Sequence, residues 1–313
     1  MPTLSIGIPL YNEAANLTEL LSRLNAVLET ISTHTAEIIL VDDGSSDETA
    51  KLCLAAAERD QRIRYLRFSR NFGQQAAYSA VLDHARGDVL VLMDGDLQDA
   101  PEALPEFLAR HAEGYDVVYA VRTERPEGLL KRFAYDACYR MIGWASEHRI
   151  PIQTGDFGLM SRRVFERVRD ALDKRAYVRG VRSLVGYRQI GIPVARGARY
   201  AGTPKYSFGK LANLAFDGLF AFSSVPIRMA WMLGGVTMGL TLLYTLYAAL
   251  KKLLFGLTPE GFTGTLATMV FLGGTQLFFV GIVGEYVARI HDEVRQRPRY
   301  IVDREASLRV DGA

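Results

Sequence analysis

The sequence has few of the features that mark several large functional classes. Its 313 residues include two cysteines, Cys53 and Cys138, which lie in predicted helices without the spacing of a metal or redox site. We therefore expect two reduced thiols in a cytosolic domain. Basic residues number 37 against 35 acidic ones, so composition does not support nucleic-acid binding. No basic segment precedes the first apolar run, which Gly7, Pro9 and Asn12 interrupt, and this predicts a strand rather than a signal peptide.

The sequence also lacks the common phosphate-binding loops. No GxGxxG or GxxxxGK(S/T) string follows the first predicted strand, which argues against a dinucleotide-binding fold or a P-loop NTPase. What it has is a regular alternation of apolar strands and amphipathic helices. Strands are predicted over residues 4–9, 37–41, 63–68, 88–93 and 116–121, and helices over residues 16–31, 48–59 and 74–85. This alternation predicts an α/β fold whose mostly parallel sheet is covered on both faces.

Polar clusters follow four of these strands. The clusters are Tyr11-Asn12-Glu13, Asp42-Asp43, Arg70-Asn71 and Asp94-Gly95-Asp96. Taken alone, Asp42-Asp43-Gly44 is equally consistent with a turn. Ligands of parallel sheets bind at the carboxyl ends of the strands, so four clusters at that edge favour a binding site.

Two carboxylates, Asp94 and Asp96, directly follow a strand that is expected to be fully buried. A buried carboxylate without a partner is costly, so such a pair is normally hydrogen-bonded, neutralised or bound to a cation. Mg²⁺ takes oxygen ligands and often uses only one or two carboxylates, with substrate phosphate and water completing its shell. Asp94 and Asp96, with Gln98 as a neutral oxygen ligand, are therefore candidates to hold a cation together with a substrate diphosphate. That cation would neutralise the charge on the departing diphosphate.

Two long apolar segments lie in the second half of the chain. Residues 229–250 and 261–284 contain no charged side chain. As helices they would span about 33 and 36 Å, enough for a hydrocarbon core of about 30 Å. The alternative is a pair of buried core helices. Basic residues are concentrated outside the two segments, with only Lys251 and Lys252 between them, which predicts that both ends are cytoplasmic.

These patterns predict four regions. They are a cytosolic catalytic domain over residues 1–207, amphipathic membrane-surface helices over 208–228, two transmembrane helices over 229–288, and a cytosolic tail over 289–313. For residues 208–228 ordinary core helices are the alternative. The tail is expected either to return over the domain or to be disordered. The predicted location is the inner membrane, with more than one crossing.

An ordered set of strings resembles a known family. It comprises PLYNE from Pro9, VDDGSSD from Val41, RNFG from Arg70, DGDLQ from Asp94, Asp156-Phe157, Arg179-Gly180, KYS from Lys205, GEY from Gly284 and Arg297-Pro298. These strings look like family 2 glycosyltransferases with the Rossmann-like GT-A fold. Within that family they resemble the polyprenyl-phosphate glycosyltransferases, including undecaprenyl-phosphate glucosyltransferases and dolichol-phosphate mannose synthases. The resemblance extends to about Val302.

The resemblance implies roles for the matching positions in the donor site. Asp94, Asp96 and Gln98 would hold Mg²⁺ or Mn²⁺ and the diphosphate, with Asp94 also contacting the donor nucleotide. The rest of the nucleotide pocket would be lined by Pro9, Tyr11, Glu13, Asp42, Asp43 and Arg70.

Asp156 matches the carboxylate usually assigned as the catalytic base. An acceptor phosphate monoester, with a second pKa near 6, is already mostly a dianion at neutral pH. We therefore expect Asp156 to orient the acceptor or to take a residual proton. Its alternative role is to cap a helix over residues 157–165.

The lipid phosphate requires cations, for which arginine is better suited than lysine. Candidates that follow the strand over 116–121 are Arg122, Arg125, Lys131 and Arg132. Family members carry a serine nearby, where this chain has Tyr135 and Asp136, so the phosphate clamp is not assigned further. Residues Arg199, Lys205 and Tyr206 belong to a loop that closes over the diphosphate in the family.

The resemblance thus implies a metal-dependent, inverting transfer of one sugar to polyprenyl (undecaprenyl) phosphate, with UDP-glucose favoured as donor. GDP-mannose and a UDP-linked modified arabinose are alternative donors. A processive polysaccharide synthase is a competing class, but its QxxRW motif is absent. A non-catalytic membrane scaffold is the other alternative. A homo-oligomer is expected from the family, and Gly234-Gly235 and Gly273-Gly274 permit close helix contacts.

Overall fold

The computed structural model describes residues 1, 3–122, 154–173, 177–194, 225–255 and 261–310. The chain divides into two compact units. The first comprises Met1–Tyr135, His148–Lys205 and Arg297–Ala313, and the second comprises Asp136–Glu147 and Tyr206–Gln296.

The first unit is built on one seven-stranded sheet. Its strands are β1 (Thr3–Leu10), β2 (Thr35–Asp42), β3 (Ile63–Arg67), β4 (Val89–Leu92), β5 (Val117–Arg122), β6 (Thr154–Ser161) and β7 (Gln189–Val194). Their order is β3-β2-β1-β4-β6-β5-β7. Only β6 runs antiparallel to its neighbours, β4 and β5. The mostly parallel sheet predicted from the apolar strands is therefore confirmed.

Helices cover both faces of this sheet. They are α1 (Ala14–Thr30), α2 (Thr49–Arg59), α3 (Gln74–His84), α4 (Leu104–Ala112), α5 (Arg162–Asp170) and α6 (Val178–Leu184). On one face, α1, α2 and α4 pack on alternate residues of β1 and β2, and the buried Cys53 lies there. On the other face, α3, α5 and α6 pack on the remaining residues of β2 and β4. Cys138 lies outside the described residues.

The prediction of a helix over residues 157–165 is wrong. Residues Thr154–Ser161 form strand β6, and the helix begins only at Arg162. Pairing with β4 and β5, both distant in sequence, stabilises the extended conformation. Gly158 allows that pairing, because a Cβ on it would lie 2.7 Å from the Val118 carbonyl oxygen. Asp156 therefore lies within a strand and does not cap a helix.

The second unit contains two long helices, α7 (Val225–Phe255) and α8 (Phe262–Val294). Apart from Gly261, they include the two segments predicted to be helical, and both continue beyond the predicted ends. Within the described part of the chain, Phe271–Val294 is long and apolar enough to cross a membrane. Its mean hydropathy is 1.4, and no residue of its most apolar stretch is buried. Residues 208–224, where surface helices were predicted, lie outside the described residues.

The chain returns to the first unit after α8. Residues 297–310, here called the C-terminal strap, run along strand β3. Antiparallel bridges join Leu308 to Tyr65 and Val302 to Phe68. Of the two alternatives for the tail, the structure thus shows the one in which it runs back over the domain.

Candidate active site

The strand order predicts a ligand-binding crevice, here called the cleft, at the carboxyl end of β1. Strand β1 lies between β2 and β4 and is parallel to both. The chain passes from β1 outward to β2 and β3 and then returns to β4 on the other side. The strand order therefore reverses between β1 and β4, which is the topological switch point where α/β sheets bind ligands.

Hydrogen bonds hold the first two loops together. The Asn12 backbone N–H donates to Ser45 Oγ at 2.9 Å, and the Ser46 N–H donates to Asn12 Oδ1 at 2.9 Å. The Glu13 N–H donates to Thr49 Oγ1, also at 2.9 Å. Tyr11 remains exposed at the rim of the cleft. The two loops thus form one rigid wall.

Two of the residues predicted to line the nucleotide pocket, Pro9 and Asp42, lie deeper than expected. Pro9 is buried within β1, opposite Val41. Asp42 is fully buried, and its carboxylate accepts hydrogen bonds from the Ser45 N–H at 2.9 Å and the Tyr65 hydroxyl at 3.2 Å. The Glu13 carboxylate accepts a hydrogen bond from Asn16 Nδ2 at 2.6 Å. Asp42 is therefore placed to hold the loop after β2, and we do not assign it a direct contact with a nucleotide.

Asp43 connects the second loop to the third. Its two carboxylate oxygens accept hydrogen bonds from the backbone N–H groups of Phe72 at 2.6 Å and Gly73 at 2.9 Å. Burial raises the pKa of Asp43, and these two N–H groups counteract part of that rise. The exposed Arg70 places its guanidinium carbon 4.1 Å from the centre of the Phe72 ring. The loop that presents Arg70 is thus anchored through Asp43.

Gly44 allows these two loops to approach each other closely. Its φ is +66°, and a Cβ there would lie 2.5 Å from the Arg70 carbonyl carbon. We expect Gly44→Ala to lower the free energy of unfolding by at least about 2 kcal/mol, because left-handed strain adds to a backbone clash. Thermal unfolding in detergent would measure this loss of stability. The control is Gly186→Ala, which has a similar φ of +73° but open space around the glycine. An equal loss of stability in both variants would contradict the close approach.

Asp94 follows β4 and is held from helix α3. Its Oδ1 accepts hydrogen bonds from the Tyr78 hydroxyl and, at 2.7 Å, from Gln74 Nε2. Burial raises the pKa of Asp94 to about 6, and the negative charges of Asp156 and Asp96 contribute to the rise. Sequence reasoning missed Gln74 and Tyr78, whose four-residue spacing on a predicted helix was the available signal.

The loop after β4 turns sharply around its carboxylates. The Asp94 N–H donates to Asp99 Oδ2 and the Gln98 N–H to Asp96 Oδ1, each at 3.2 Å. Leu97 between them adopts a left-handed φ of 60°. This turn keeps Asp94, Asp96 and Gln98 in one short loop at the end of β4.

These residues fit a hard divalent cation that shares its shell with a substrate. Within the described ranges, no three His, Cys, Asp or Glu side chains are grouped so as to hold a metal by themselves. The negative charges of Asp156 and Asp96 add to the effect of burial in raising the pKa of Asp94, and a bound cation would counter those charges. Oxygen ligands from one loop, completed by phosphate and water, are typical of magnesium sites.

Asp156 reaches the same edge from β6. The pairing of β4 with β6 sets Leu92 opposite Gly158, and continuing that register two residues brings Asp94 towards Asp156. Arg179 on α6 binds the Asp156 carboxylate in a bidentate manner, with Nε–Oδ1 at 3.2 Å and Nη2–Oδ2 at 2.8 Å. The sequence analysis predicted Asp156 but gave no role to Arg179.

A second arginine of α6 supports this arrangement from below. Arg182 is 2% exposed and donates to the Gly155 carbonyl at 3.0 Å and the Asp156 carbonyl at 3.4 Å. Burial lowers the pKa of Arg182, and Asp156 counteracts this. Gln75 of α3 accepts a hydrogen bond from the Val178 N–H at 3.0 Å, which ties α6 to the helix that holds Asp94. The carboxylate and its two cations thus belong to one packed unit.

Most of the predicted phosphate-binding cations lie outside the residues that the structure describes. Arg122 is the last residue of β5, but its side chain is not described. The remaining candidates lie outside the described residues, namely Arg125, Lys131, Arg132, Arg199, Lys205 and Tyr206.

Two family descriptions match the sequence. Residues 5–169 match "Glycosyl transferase family 2", and residues 225–290 match "GtrB C-terminal hairpin". The first match covers most of the sheet and its helices, including the loops after β1, β2 and β4. The second covers almost all of α7 and α8.

Several curated proteins are similar over nearly the whole chain. An uncharacterized glycosyltransferase of Synechocystis sp. is 39% identical over 300 residues, covering 96% of this chain and 94% of its own. A prophage-derived bactoprenol glucosyl transferase of Shigella flexneri is 34% identical over 300 residues, covering 96% of this chain and 97% of its own. A prophage bactoprenol glucosyl transferase homolog of Escherichia coli is 33% identical over 302 residues, covering 96% and 98%.

A solved structure supports the fold. Glucosyl-3-phosphoglycerate synthase of Mycobacterium tuberculosis, in complex with Mn²⁺, UDP and phosphoglyceric acid, matches with a TM-score of 0.50 and 17% identity. The match covers 70% of this chain and 76% of that one. At this identity the likeness concerns the GT-A architecture alone.

Proposed function

The chain belongs to glycosyl transferase family 2, and from this we propose that it transfers one glucose from UDP-glucose to polyprenyl (undecaprenyl) phosphate, with inversion at the anomeric carbon. The observation that carries the proposal is the placement of Asp94 and Asp96 directly after β4, at the sheet edge that Asp156 of β6 also reaches. Relatives named for bactoprenol glucosyl transfer, matched over 96% of this chain, support the choice of sugar and lipid.

The donor would occupy the cleft between the loops after β1, β2 and β4. Tyr11 and the loop that carries Arg70 would flank the nucleotide, with Asp43 fixing that loop. Asp94, Asp96 and Gln98 would hold Mg²⁺ or Mn²⁺. A divalent cation bound there offsets the charge that develops on the leaving nucleotide diphosphate.

Asp156 and Arg179 would position the acceptor. Its phosphate is mostly a dianion at neutral pH, so the attacking oxygen needs little deprotonation. A dianion that approaches Asp94 and Asp156 meets repulsion, and the charge of Arg179 beside Asp156 offsets part of it. We therefore assign Asp156 to orientation, with Arg179 as its positioning residue.

The membrane arrangement is part of the proposal. Helices α7 and α8 would form a two-span hairpin with both chain ends in the cytoplasm, following the basic residues that lie outside it. Residues 1–207 would then be the cytosolic catalytic domain and residues 208–228 a surface segment at the headgroups. A surface segment there would bring the lipid phosphate near the cleft while its tail stays in the bilayer. A homo-oligomer stays a prediction.

Donor and metal requirements test this function directly. Radiolabelled UDP- and GDP-sugars would be incubated in detergent with undecaprenyl phosphate, with Mg²⁺ or Mn²⁺, or with EDTA. We expect a lipid-soluble, mild-acid-labile product from UDP-glucose only, and none in EDTA or with Asp96→Asn. Transfer from GDP-mannose or a UDP-linked arabinose instead would correct the donor. Nucleotide binding without any lipid product would overturn the proposal in favour of another acceptor or a scaffold.

A further inference from the structure

The C-terminal strap completes an edge of the sheet beside the cleft. Strand β3 is the outermost strand on its side. The strap forms backbone hydrogen bonds with it at both ends, from the Ser69 N–H to the Ile301 carbonyl at 3.0 Å and from the Leu308 N–H to the Tyr65 carbonyl at 2.8 Å. Between them, the Asp303 N–H donates to the Arg67 carbonyl at 2.8 Å. The strap thus satisfies backbone groups that an edge strand otherwise leaves open.

Arg309 anchors the far end of the strap. Its Nη1 donates to the carbonyl oxygens of Ile63 at 2.8 Å, Asp60 at 3.2 Å and Ala57. Two of these lie at the end of α2, where backbone carbonyls lack helical partners. Leu308, beside Arg309, packs on the face of the sheet that α1 and α2 cover. This end is fastened away from the cleft.

The near end of the strap contacts the loop that presents Arg70. The Tyr300 ring stacks on Phe68, with centroids 4.9 Å apart and planes 16° from parallel. Phe68 meets Phe72 edge-on at 5.8 Å, and Phe72 lies under the Arg70 guanidinium. The Tyr300 hydroxyl also donates to Asp83 Oδ2 on α3 at 2.9 Å. A continuous series of aromatic contacts therefore runs from the strap to Arg70.

We propose that the strap is a working part of the donor-nucleotide site, with Tyr300 as a positioning residue. Through Phe68 and Phe72, Tyr300 fixes the loop that carries Arg70. The backbone N–H groups of the same loop bind the Asp43 carboxylate. Phe72 is shared between these supports, since its ring contacts Phe68 and its N–H binds Asp43. Loosening the strap would leave the loop mobile in the free protein. Ordering the loop on binding would then lower the affinity for the nucleotide. The proposal rests on the proposed function for the identity of the nucleotide.

Because of the strap, the proposed donor site depends on residues that follow α8 in the sequence. It follows α8 after only two residues, Arg295 and Gln296, yet it packs on the catalytic domain. A catalytic domain defined as residues 1–207 is therefore incomplete at its donor site.

Matched variants of the full-length protein test the proposal. Tyr300→Ala removes the stacking on Phe68, Tyr300→Phe keeps the ring and removes only the hydrogen bond to Asp83, and Leu308→Ala removes an apolar strap contact on the opposite face. Kinetics in detergent would give kcat and the KM values for donor and lipid, and calorimetry would give the Kd for UDP.

We expect Tyr300→Ala to raise the donor KM and the UDP Kd about 3- to 10-fold, the range that an aromatic pair contributes, with the lipid KM unchanged. Tyr300→Phe should bind the donor as the wild type does. Leu308→Ala should lower the melting temperature without changing the donor KM or the UDP Kd. An unchanged UDP Kd in Tyr300→Ala, or an equal rise in Leu308→Ala, would show a merely structural strap and overturn the proposal. If the wild type binds UDP but transfers no sugar, the proposed function fails while the UDP Kd still decides the role of the strap.

Discussion

Asp94→Asn is expected to reduce kcat/KM for sugar transfer by at least about 100-fold, since even partners that only support metal ligands are worth 10- to 100-fold. The substitution removes the charge but leaves an Oδ1 that accepts hydrogen bonds from Gln74 and Tyr78, so the fold should be retained. What is lost is the negative charge that draws a cation to the donor diphosphate. Initial rates over a metal titration would measure the effect.

The matched control is Asp88→Asn, at the residue just before the other end of β4. Asp88 accepts a hydrogen bond from the Thr3 N–H at 2.8 Å, which an asparagine also accepts. We expect this variant to transfer sugar at the wild-type rate. A further variant, Tyr78→Phe, removes one donor to Asp94 and should fall between the two. Wild-type activity of Asp94→Asn at every metal concentration would mean that this carboxylate does not serve the cation.

Asp156→Asn is expected to lower kcat about 100-fold, the scale of loss that follows from misplacing reacting groups. The bidentate contact with Arg179 defines the position of this carboxylate, and an amide cannot accept both N–H groups. Because the acceptor phosphate is already ionised above its second pKa near 6, the residual rate of the variant should show the wild-type pH dependence between pH 7 and 9. A residual rate that rises tenfold per pH unit would instead identify Asp156 as a general base.

Arg179→Lys tests the same contact from its other side. Lysine keeps the charge but cannot form the planar bidentate pair, so we expect about a tenfold lower kcat. The chain offers a close control in Arg163→Lys. Arg163 binds Asp116 in the same bidentate manner, at 2.6 and 2.7 Å, but Asp116 lies at the amino end of β5, on the opposite edge of the sheet. That variant should lose stability and keep its kcat. An equal loss of kcat in both would argue for a general destabilisation.

Three of the four side chains that hold Asp94 and Asp156 in place were not predictable as such. Gln74, Tyr78 and Arg182 have no local signal beyond their places in helices, because their partners come from strands distant in sequence. Arg179 was part of a recognised string but had no partner until β6 was placed. The wrong helix over residues 157–165 has the same origin, since pairing with β4 and β5 outweighed local preference.

The alternation of strands and helices, the carboxylates at the strand ends and the two long apolar helices are all predictable from the amino-acid sequence. These features are local, because the pattern of apolar residues that marks a buried strand or helix lies within one short stretch of sequence. By contrast, the inward orientation of Asp42, the binding of Asp156 by Arg179 and the pairing of the strap with β3 beside Arg70 follow from the tertiary fold. Each of these depends on which distant segments become neighbours in the sheet, and a register or a return of the chain has no counterpart in a short stretch of sequence.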